Sequence, residues 1–363
     1  MKAVFLITAA IVPLAAADFS YDSSLTSSRP VVAVFSHPLN STHDFIAASY
    51  VKYLESGGAR AFRVPYNASK DEIEAIYEQT NGMFFPGGGC DLPQSARYLW
   101  SLKLKGEMEE GDVYPAWGTC LGFEWINQLV SEDDSIIATH FNAENISLAL
   151  DMTGEDSRMM PNGGVVSADG TFMTDVGKLA STYEITMNMH AHGVSVADFM
   201  DSEKLSSTFT LISTNKDLDG KVRRRSGRRR EREAVPYPSL PFPTLPYPTL
   251  PYPTLQEFVS TIESKDAGSP IYATQWHPEK NTFEYGTVGD GDVPYITTVH
   301  SAESVRLANE LAMFFGAEVR RSTHTYDGSL PLAIDERVGV RRKSDESGKA
   351  VYEEQYLFTA EKR

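Results

Sequence analysis

Over its first third the chain alternates short apolar runs with amphipathic stretches. Val31-Val32-Ala33-Val34-Phe35 is apolar at every position. A strand covered on both faces reads this way. His37-Pro38 ends it. Ile46, Tyr50, Tyr53 and Leu54 then fall on one face of a helix, which Gly57-Gly58 stops. Ala59 to Val64 predicts a second strand. Ser69 and Glu72 form a capping box, opening a helix through Gln79. Gly82-Met83-Phe84-Phe85 predicts a third strand that runs straight into Pro86-Gly87-Gly88-Gly89. A helix around Arg97 to Met108 follows. After it come the apolar end of a strand at Val113-Tyr114-Pro115-Ala116 and a helix over Glu124 to Val130. This alternation predicts an α/β fold, a three-layer sandwich with a mostly parallel central sheet and helices on both faces. Ligands of such sheets sit at the carboxyl ends of strands. Two stretches fall there, Gly87-Gly88-Gly89 and Trp117-Gly118-Thr119-Cys120-Leu121-Gly122-Phe123-Glu124.

The second half is richer in strand patterns. Thr208 to Thr214 and Glu257 to Ile262 predict a strand and its return, with a turn signal at Asp217 to Gly220. Between them lies a basic run, Arg223 to Arg230, and four pentapeptides of the form Pro-aromatic-Pro-Ser/Thr-Leu, Pro236 to Leu255. Residues 221 to 255 carry a net charge of +6, which leaves the remainder at −22. Such a composition predicts an extended segment outside any core. A proline-rich docking segment, a processing site at the arginines and translated intron sequence would each account for it. A hairpin tip tolerates insertion, so the fold is expected to survive with or without it. Ser301 to Phe315 predicts a helix with Val305, Ala308, Leu311, Ala312 and Phe315 inward. The polar tail from Arg321 holds one strand-like stretch, Tyr352 to Phe358, and is expected to pack late and loosely.

Composition narrows the class. At 363 residues and 41% hydrophobic, the chain can bury a sizeable core. A net charge of −16 argues against a nucleic-acid partner. Two cysteines, Cys90 and Cys120, exclude a disulfide framework and a Cys-rich metal cluster. Lys2, the apolar run Ala3 to Leu14 and Ala15-Ala16-Ala17 have the form of a secretory leader, 1–17, cleaved after Ala17. That run is shorter than the ~20 residues a membrane span needs, and no other long apolar run occurs. The sequons at Asn40, Asn67 and Asn145 agree with a soluble glycoprotein of the secretory path or an acidic lumen such as a vacuole or lysosome.

Small-x-Cys-x-small between a strand and a helix is the thiol form of a nucleophile elbow. Gly118 and Gly122 leave room for a sharp turn that lifts Cys120 out. The helix end is expected to favour thiolate, and the Leu121 amide to face an oxyanion. Taken alone, the motif fits a buried cysteine at a strand-to-helix corner equally well. Cysteine catalysis also needs a base and an orienter behind that base. His277, in Gln275-Trp276-His277-Pro278-Glu279-Lys280, follows an apolar strand at Pro270 to Ala273. Glu279 can turn back to its imidazole.

The three stretches occur in the order glycine loop, cysteine elbow, histidine loop. That order resembles the class I glutamine amidotransferase-like superfamily, and more closely the γ-glutamyl hydrolases. The resemblance is carried by Ile46 to Ser56, Phe85-Pro86-Gly87-Gly88, Trp117 to Glu124, Asn188-Met189-His190 and Gln275 to Lys280. It covers most of a catalytic domain at 29–320, apart from an insert at 222–255, and leaves a tail at 321–363. It implies an omega-peptidase that cleaves γ-glutamyl amide bonds through a thioester, with folate poly-γ-glutamates as the likeness's substrate class and no cofactor or metal. By resemblance, Cys120 is the nucleophile, His277 the base and then acid, and Glu279 its orienter. The amides of Gly88 and Leu121 form the oxyanion hole. Glu124 and Lys280 lie where the terminal glutamate is held, His190 lines the cleft, and Tyr50 faces it.

The chain departs from that pattern in its insert, in Cys90 where a small polar residue is expected, and in His190-Ala191-His192 where an aromatic residue is expected after the first histidine. Cys90 has no neighbouring base in sequence and reads as a packing residue. Two other functions stay open. One is a glutaminase passing ammonia to a partner, and the other is a non-catalytic binding protein on the same fold. The sequence does not set the oligomeric state, and a homodimer stays open.

Overall fold

Val31–Phe35 (β1) divides its fully buried side chains between two cores. Val32 and Val34 join one hydrophobic cluster, and Val31, Ala33 and Phe35 join the other. A strand with apolar partners on both faces lies in the middle layer of a sandwich. The computed structural model describes residues 27, 29–161, 165–166, 172–173, 175–218, 257–286, 297–342 and 353–360. The leader expected at 1–17 and the insert at 222–255 lie outside the described residues, as does the end of the turn expected at Asp217 to Gly220.

The chain continues through β2 (His37–Pro38), β3 (His43–Ala47), α1 (Ala48–Ser56), β4 (Arg60–Val64), α2 (Lys70–Gln79), β5 (Met83–Phe85), α3 (Gln94–Glu110), β6 (Ala116–Thr119) and α4 (Leu121–Ser131). Next come β7 (Ala138–Leu148), β8 (Asp151–Met152), β9 (Val165–Val166), β10 (Phe172–Met173), α5 (Val176–Thr182), β11 (Thr186–Gly193), α6 (Val196–Asp201), α7 (Glu203–Thr208) and β12 (Phe209–Lys216). The last group is β13 (Glu257–Ser264), β14 (Ile271–Thr274), α8 (Lys280–Phe283), α9 (Ala302–Val319), α10 (Ala333–Glu336), β15 (Gly339–Arg342) and β16 (Glu354–Thr359).

One eight-stranded sheet forms the middle layer, in the order β4-β1-β5-β6-β14-β13-β12-β8. β4, β1, β5, β6 and β14 are parallel, and β13, β12 and β8 add antiparallel pairings. The fold is the expected α/β sandwich with a mostly parallel sheet. The carboxyl ends of β5, β6 and β14 lie side by side, because Phe85 pairs with Gly118 and Thr274 with Thr119. Three loops therefore leave the sheet together, those carrying Gly87, Cys120 and His277.

Local signals set several boundaries. Ser69 caps α2 in a full capping box with Glu72. α1 begins at Ala48, because Ile46 and Ala47 pair with Tyr356 and Gln355 as the end of β3. The strand expected at Val113 to Ala116 is Ala116–Thr119 and runs directly into Cys120. β12 and β13 form the expected antiparallel pair, closed by Lys216 opposite Glu257. In α9, Ala308, Leu311, Ala312 and Phe315 are buried, together with Leu307 and Phe314. Val305 sits at the edge of that face, half-buried.

The described part of the tail does not pack loosely. β16 pairs with β3 and β15, building an antiparallel sheet of order β15-β16-β3-β2 beside the main one. Arg63, almost wholly buried on β4, holds this sheet. Its guanidinium donates to Asp44 at 3.2 Å, Glu336 at 2.6 Å and the Thr359 carbonyl at 3.2 Å. A buried cation is tolerated only with such a set of acceptors. A long two-stranded sheet of β7 and β11, which local patterning does not reveal, stands over the carboxyl end of the main sheet.

Candidate active site

Cys120 lies between β6 and α4 at φ 54° and ψ −108°. The left-handed region costs a non-glycine residue on the order of 1–3 kcal/mol, so packing must enforce it. It does so through the flanking glycines. A Cβ on Gly118 would stand 2.4 Å from the Gly122 carbonyl, and one on Gly122 would stand 1.9 Å from the Phe85 carbonyl. Neither position admits a side chain. The Cys120 N–H donates to the Thr274 carbonyl at 2.8 Å, tying the elbow to the end of β14.

His277 follows β14 and is buried, as is Glu279. Its Nδ1 lies 2.6 Å from Glu279 Oε1. Tyr50 Oη, on α1, lies 3.2 Å from the same nitrogen and accepts the Gly87 N–H at 2.8 Å. The other ring nitrogen, Nε2, has no hydrogen-bond partner among the described residues. Gly87 fits between these groups. A Cβ there would lie 2.4 Å from Tyr50 Oη, 2.8 Å from His277 Cε1 and 3.2 Å from Cys120 Cβ. Thiol, imidazole and tyrosine thus converge on one glycine.

Electrostatics favour a neutral resting pair. Burial lowers His277, while the adjacent Glu279 opposes that shift. Burial pushes the Cys120 thiol well above its ordinary value, and the Glu124 and Glu279 carboxylates push the same way. The Leu121 amide and Lys280 oppose them. The expected preference of the helix end for thiolate is therefore outweighed by desolvation.

A cleft of about 640 Å³ opens over this elbow. Gly88, Cys120, Leu121, Glu124 and His190 line it. His190, on β11, is buried and pulled down to about 3 by desolvation. Its ring is held by the His192 carbonyl at 2.7 Å and stands edge-on to Phe258 at 4.8 Å. Glu124 accepts from Gln275 Nε2 at 3.2 Å, and burial pushes it up to about 7. Met189, missed from sequence, puts its carbonyl 4.0 Å from the Cys120 sulfur.

Tyr50 and Lys280, expected to touch substrate, do not line the cleft. Both are fully buried. α1 turns Tyr50 inward onto His277. Lys280 is turned inward at the start of α8, where its charge acts on Glu284 as well as His277. Cys90 packs against the hydrophobic core, as expected. It lines the cleft, and its sulfur lies 2.9 Å from Nδ1 of His37. No group of three or more metal-ligating side chains is assembled among the described residues.

The arrangement has parts that acyl transfer through a thiol requires: a thiol at a strained corner, an imidazole held by a carboxylate, and the Leu121 amide beside the sulfur. No family model matches the chain. Curated relatives do. The γ-glutamyl hydrolase of Bos taurus is 31% identical over 291 residues, 79% of this chain and 74% of that protein. The human γ-glutamyl hydrolase is 30% identical over 314 residues, 83% of this chain and 81% of that protein. γ-Glutamyl hydrolase B of Dictyostelium discoideum matches at 30% over the same length, with 83% and 75% covered. Among solved structures, a glutamine amido transferase from Methylobacillus flagellatus aligns over 80% of this chain and 94% of its own. Its identity of 11% and TM-score of 0.38 are too low to bear on the fold. The chain belongs to the γ-glutamyl hydrolase family.

Proposed function

We propose that the protein hydrolyses γ-glutamyl amide bonds, with folate poly-γ-glutamates as its substrates and Cys120 as its nucleophile. The observation that carries this reading is the buried His277–Glu279 pair, 2.6 Å apart, converging with Cys120 on Gly87. Cys120 attacks the γ-carbonyl carbon while its proton passes to His277. The oxyanion is held by the amides of Gly88 and Leu121. His277, now protonated and steadied by Glu279, gives its proton to the departing amine, and a thioester remains on Cys120. Water, deprotonated by His277, releases the free glutamyl product and restores the thiol. Glu124 and His190 flank the glutamyl head. Lys280 acts from behind, where a buried ammonium favours negative charge on the sulfur.

The charge around the cleft supports an acidic workplace. Asp91, Glu124, Asp134 and Glu144 line it, and the lining Arg97 is paired with Asp134 at 2.7 Å. A polyanionic substrate meets less repulsion where some of these carboxylates are protonated. With the sequence's leader-like start and sequons, this fits a secreted or lumenal enzyme. No helix among the described residues is long and apolar enough to cross a membrane. Activity is expected to peak below pH 7. A rate that is flat or rising from pH 5 to 8 would refute that.

The deciding experiment is hydrolysis of a pteroyl-poly-γ-glutamate by the purified protein, beside Cys120→Ala and with glutamine as a control. Glutamate release lost in the variant supports the reading. Release from glutamine alone, or none, overturns it.

A further inference from the structure

His37 touches the glycine loop at three alternate residues. Its Nδ1 lies 2.9 Å from Cys90 Sγ. Its ring stands 3.0 Å from the point where a Gly88 side chain would begin, and the Pro86 carbonyl acts on the same ring. The imidazole is itself fixed. It is 3% exposed and lies between Phe45 and Trp125, with ring centroids 5.9 and 5.6 Å away. β2 carries His37, β3 carries Phe45 and α4 carries Trp125. One ring therefore joins the loop, the accessory sheet and the elbow helix.

The pair is neutral. Burial pulls His37 down to about 4, and burial with the Asp91 and Asp44 carboxylates pushes Cys90 up to about 12. Thiol and imidazole therefore share one hydrogen bond between neutral partners, and Cys90 does not stand as a second thiolate. A thiol of that kind is a poor nucleophile, so the contact holds structure.

We infer that His37 and Cys90 are a positioning pair that fixes the Gly87-Gly88-Gly89 loop and, with it, the Gly88 amide at the rim of the cleft. The catalytic consequence rests on the proposed oxyanion role of Gly88, whereas the fixing of the loop does not. Glycines leave the backbone free to wander, and an oxyanion donor works only when held in place before the reaction. Stacked against His37 and latched at Cys90, this loop has little room to do so.

The test compares Cys90→Ala, Cys90→Ser, His37→Gln and the double variant Cys90→Ala/His37→Gln. Each is assayed with a γ-glutamyl amide that the wild type cleaves. Cys90→Ala is expected to lower kcat about tenfold with KM within about twofold, less than the 10²–10³ that losing an oxyanion donor outright costs. Cys90→Ser, whose hydroxyl can donate to Nδ1 or accept from it, recovers most of the rate. The double variant is no slower than the slower single one, because both remove one contact. Amide hydrogen exchange over residues 86–92 rises in Cys90→Ala while β6 and α4 keep their protection. Unchanged kcat and exchange in Cys90→Ala, additive losses in the double variant, or falling Tm without rescue by serine would each overturn the inference. If the wild type cleaves no γ-glutamyl amide, the proposed function fails, and the exchange measurement still decides the pairing.

Discussion

Tyr50 Oη and His277 Nδ1 lie 3.2 Å apart in the interior behind the cleft. The same hydroxyl accepts the Gly87 N–H, so one phenol sits between His277 and the loop that flanks Cys120. Tyr50→Phe keeps the ring and removes both contacts. It takes the Tyr50 hydroxyl acceptor from the Gly87 N–H. The rate should fall about tenfold with KM little changed, since the imidazole and loop drift while the cleft wall stays. Steady-state kinetics and a melting curve check this. Unchanged kcat would show that the hydroxyl does not steer His277.

Glu124 makes stability depend on pH in a defined direction. Its carboxyl is pushed up from 4.5 to about 7 by burial. Below pH 4.5 it is neutral in both folded and unfolded chains. Between 4.5 and 7 the unfolded chain ionises first, and stability falls as pH rises. Above 7 the folded protein holds a buried carboxylate. Glu124→Gln should therefore raise Tm at pH 8 and leave it unchanged at pH 4.5. Melting curves at the two pH values measure the difference, and an equal shift at both would contradict it.

Lys216 and Glu257 face each other across the end of the β12–β13 pair. The register on both sides is already set by these strands. Replacing residues 222–255 with a short Asn-Gly turn should leave Tm within a few degrees and kcat within about twofold. Secretion yield, thermal melting and kinetics of the shortened chain test this. Loss of folding would give the segment a structural role.

The C-terminal strand carries an expectation too. A chain ending at residue 352 lacks β16, strips β3 of one pairing partner and takes the Thr359 acceptor from Arg63. Tm should drop by roughly 5 °C or more, the effect of losing a few kcal/mol in a protein of this size. The rate should drop as well, because β3 runs directly into α1 and Tyr50. Differential scanning calorimetry and kinetics on the shortened chain decide it.

The parts of the site legible in the sequence are those built from short-range signals. Gly118 and Gly122 are needed by atoms within a few residues or on the neighbouring strand, and His277 meets Glu279 two residues away. The capping box of α2 and the doubly buried β1 are equally local. What stayed hidden depends on distant pairing. β11 alternates poorly and is broken by register shifts near His190, so it does not read as a strand. β3 and β16 recognise one another across most of the chain. The base beside Cys90 is His37, far away in sequence. The resemblance puts Tyr50 and Lys280 on the substrate side, because a shared motif gives order along the chain and not what packs over each side chain.

The order of strands in the sheet has a consequence for biosynthesis. β6, which delivers the thiol, and β14, which delivers the imidazole, are immediate neighbours in space yet far apart along the polypeptide. A ribosome releases the cysteine long before the histidine exists. The half-made chain therefore carries an unassisted sulfhydryl, and the strands β1, β4, β5 and β6 can collect before their last parallel neighbour arrives. On the proposed mechanism, the ability to cut appears only as the later part of the message is translated, and a polypeptide stalled before His277 lacks the base its thiol needs.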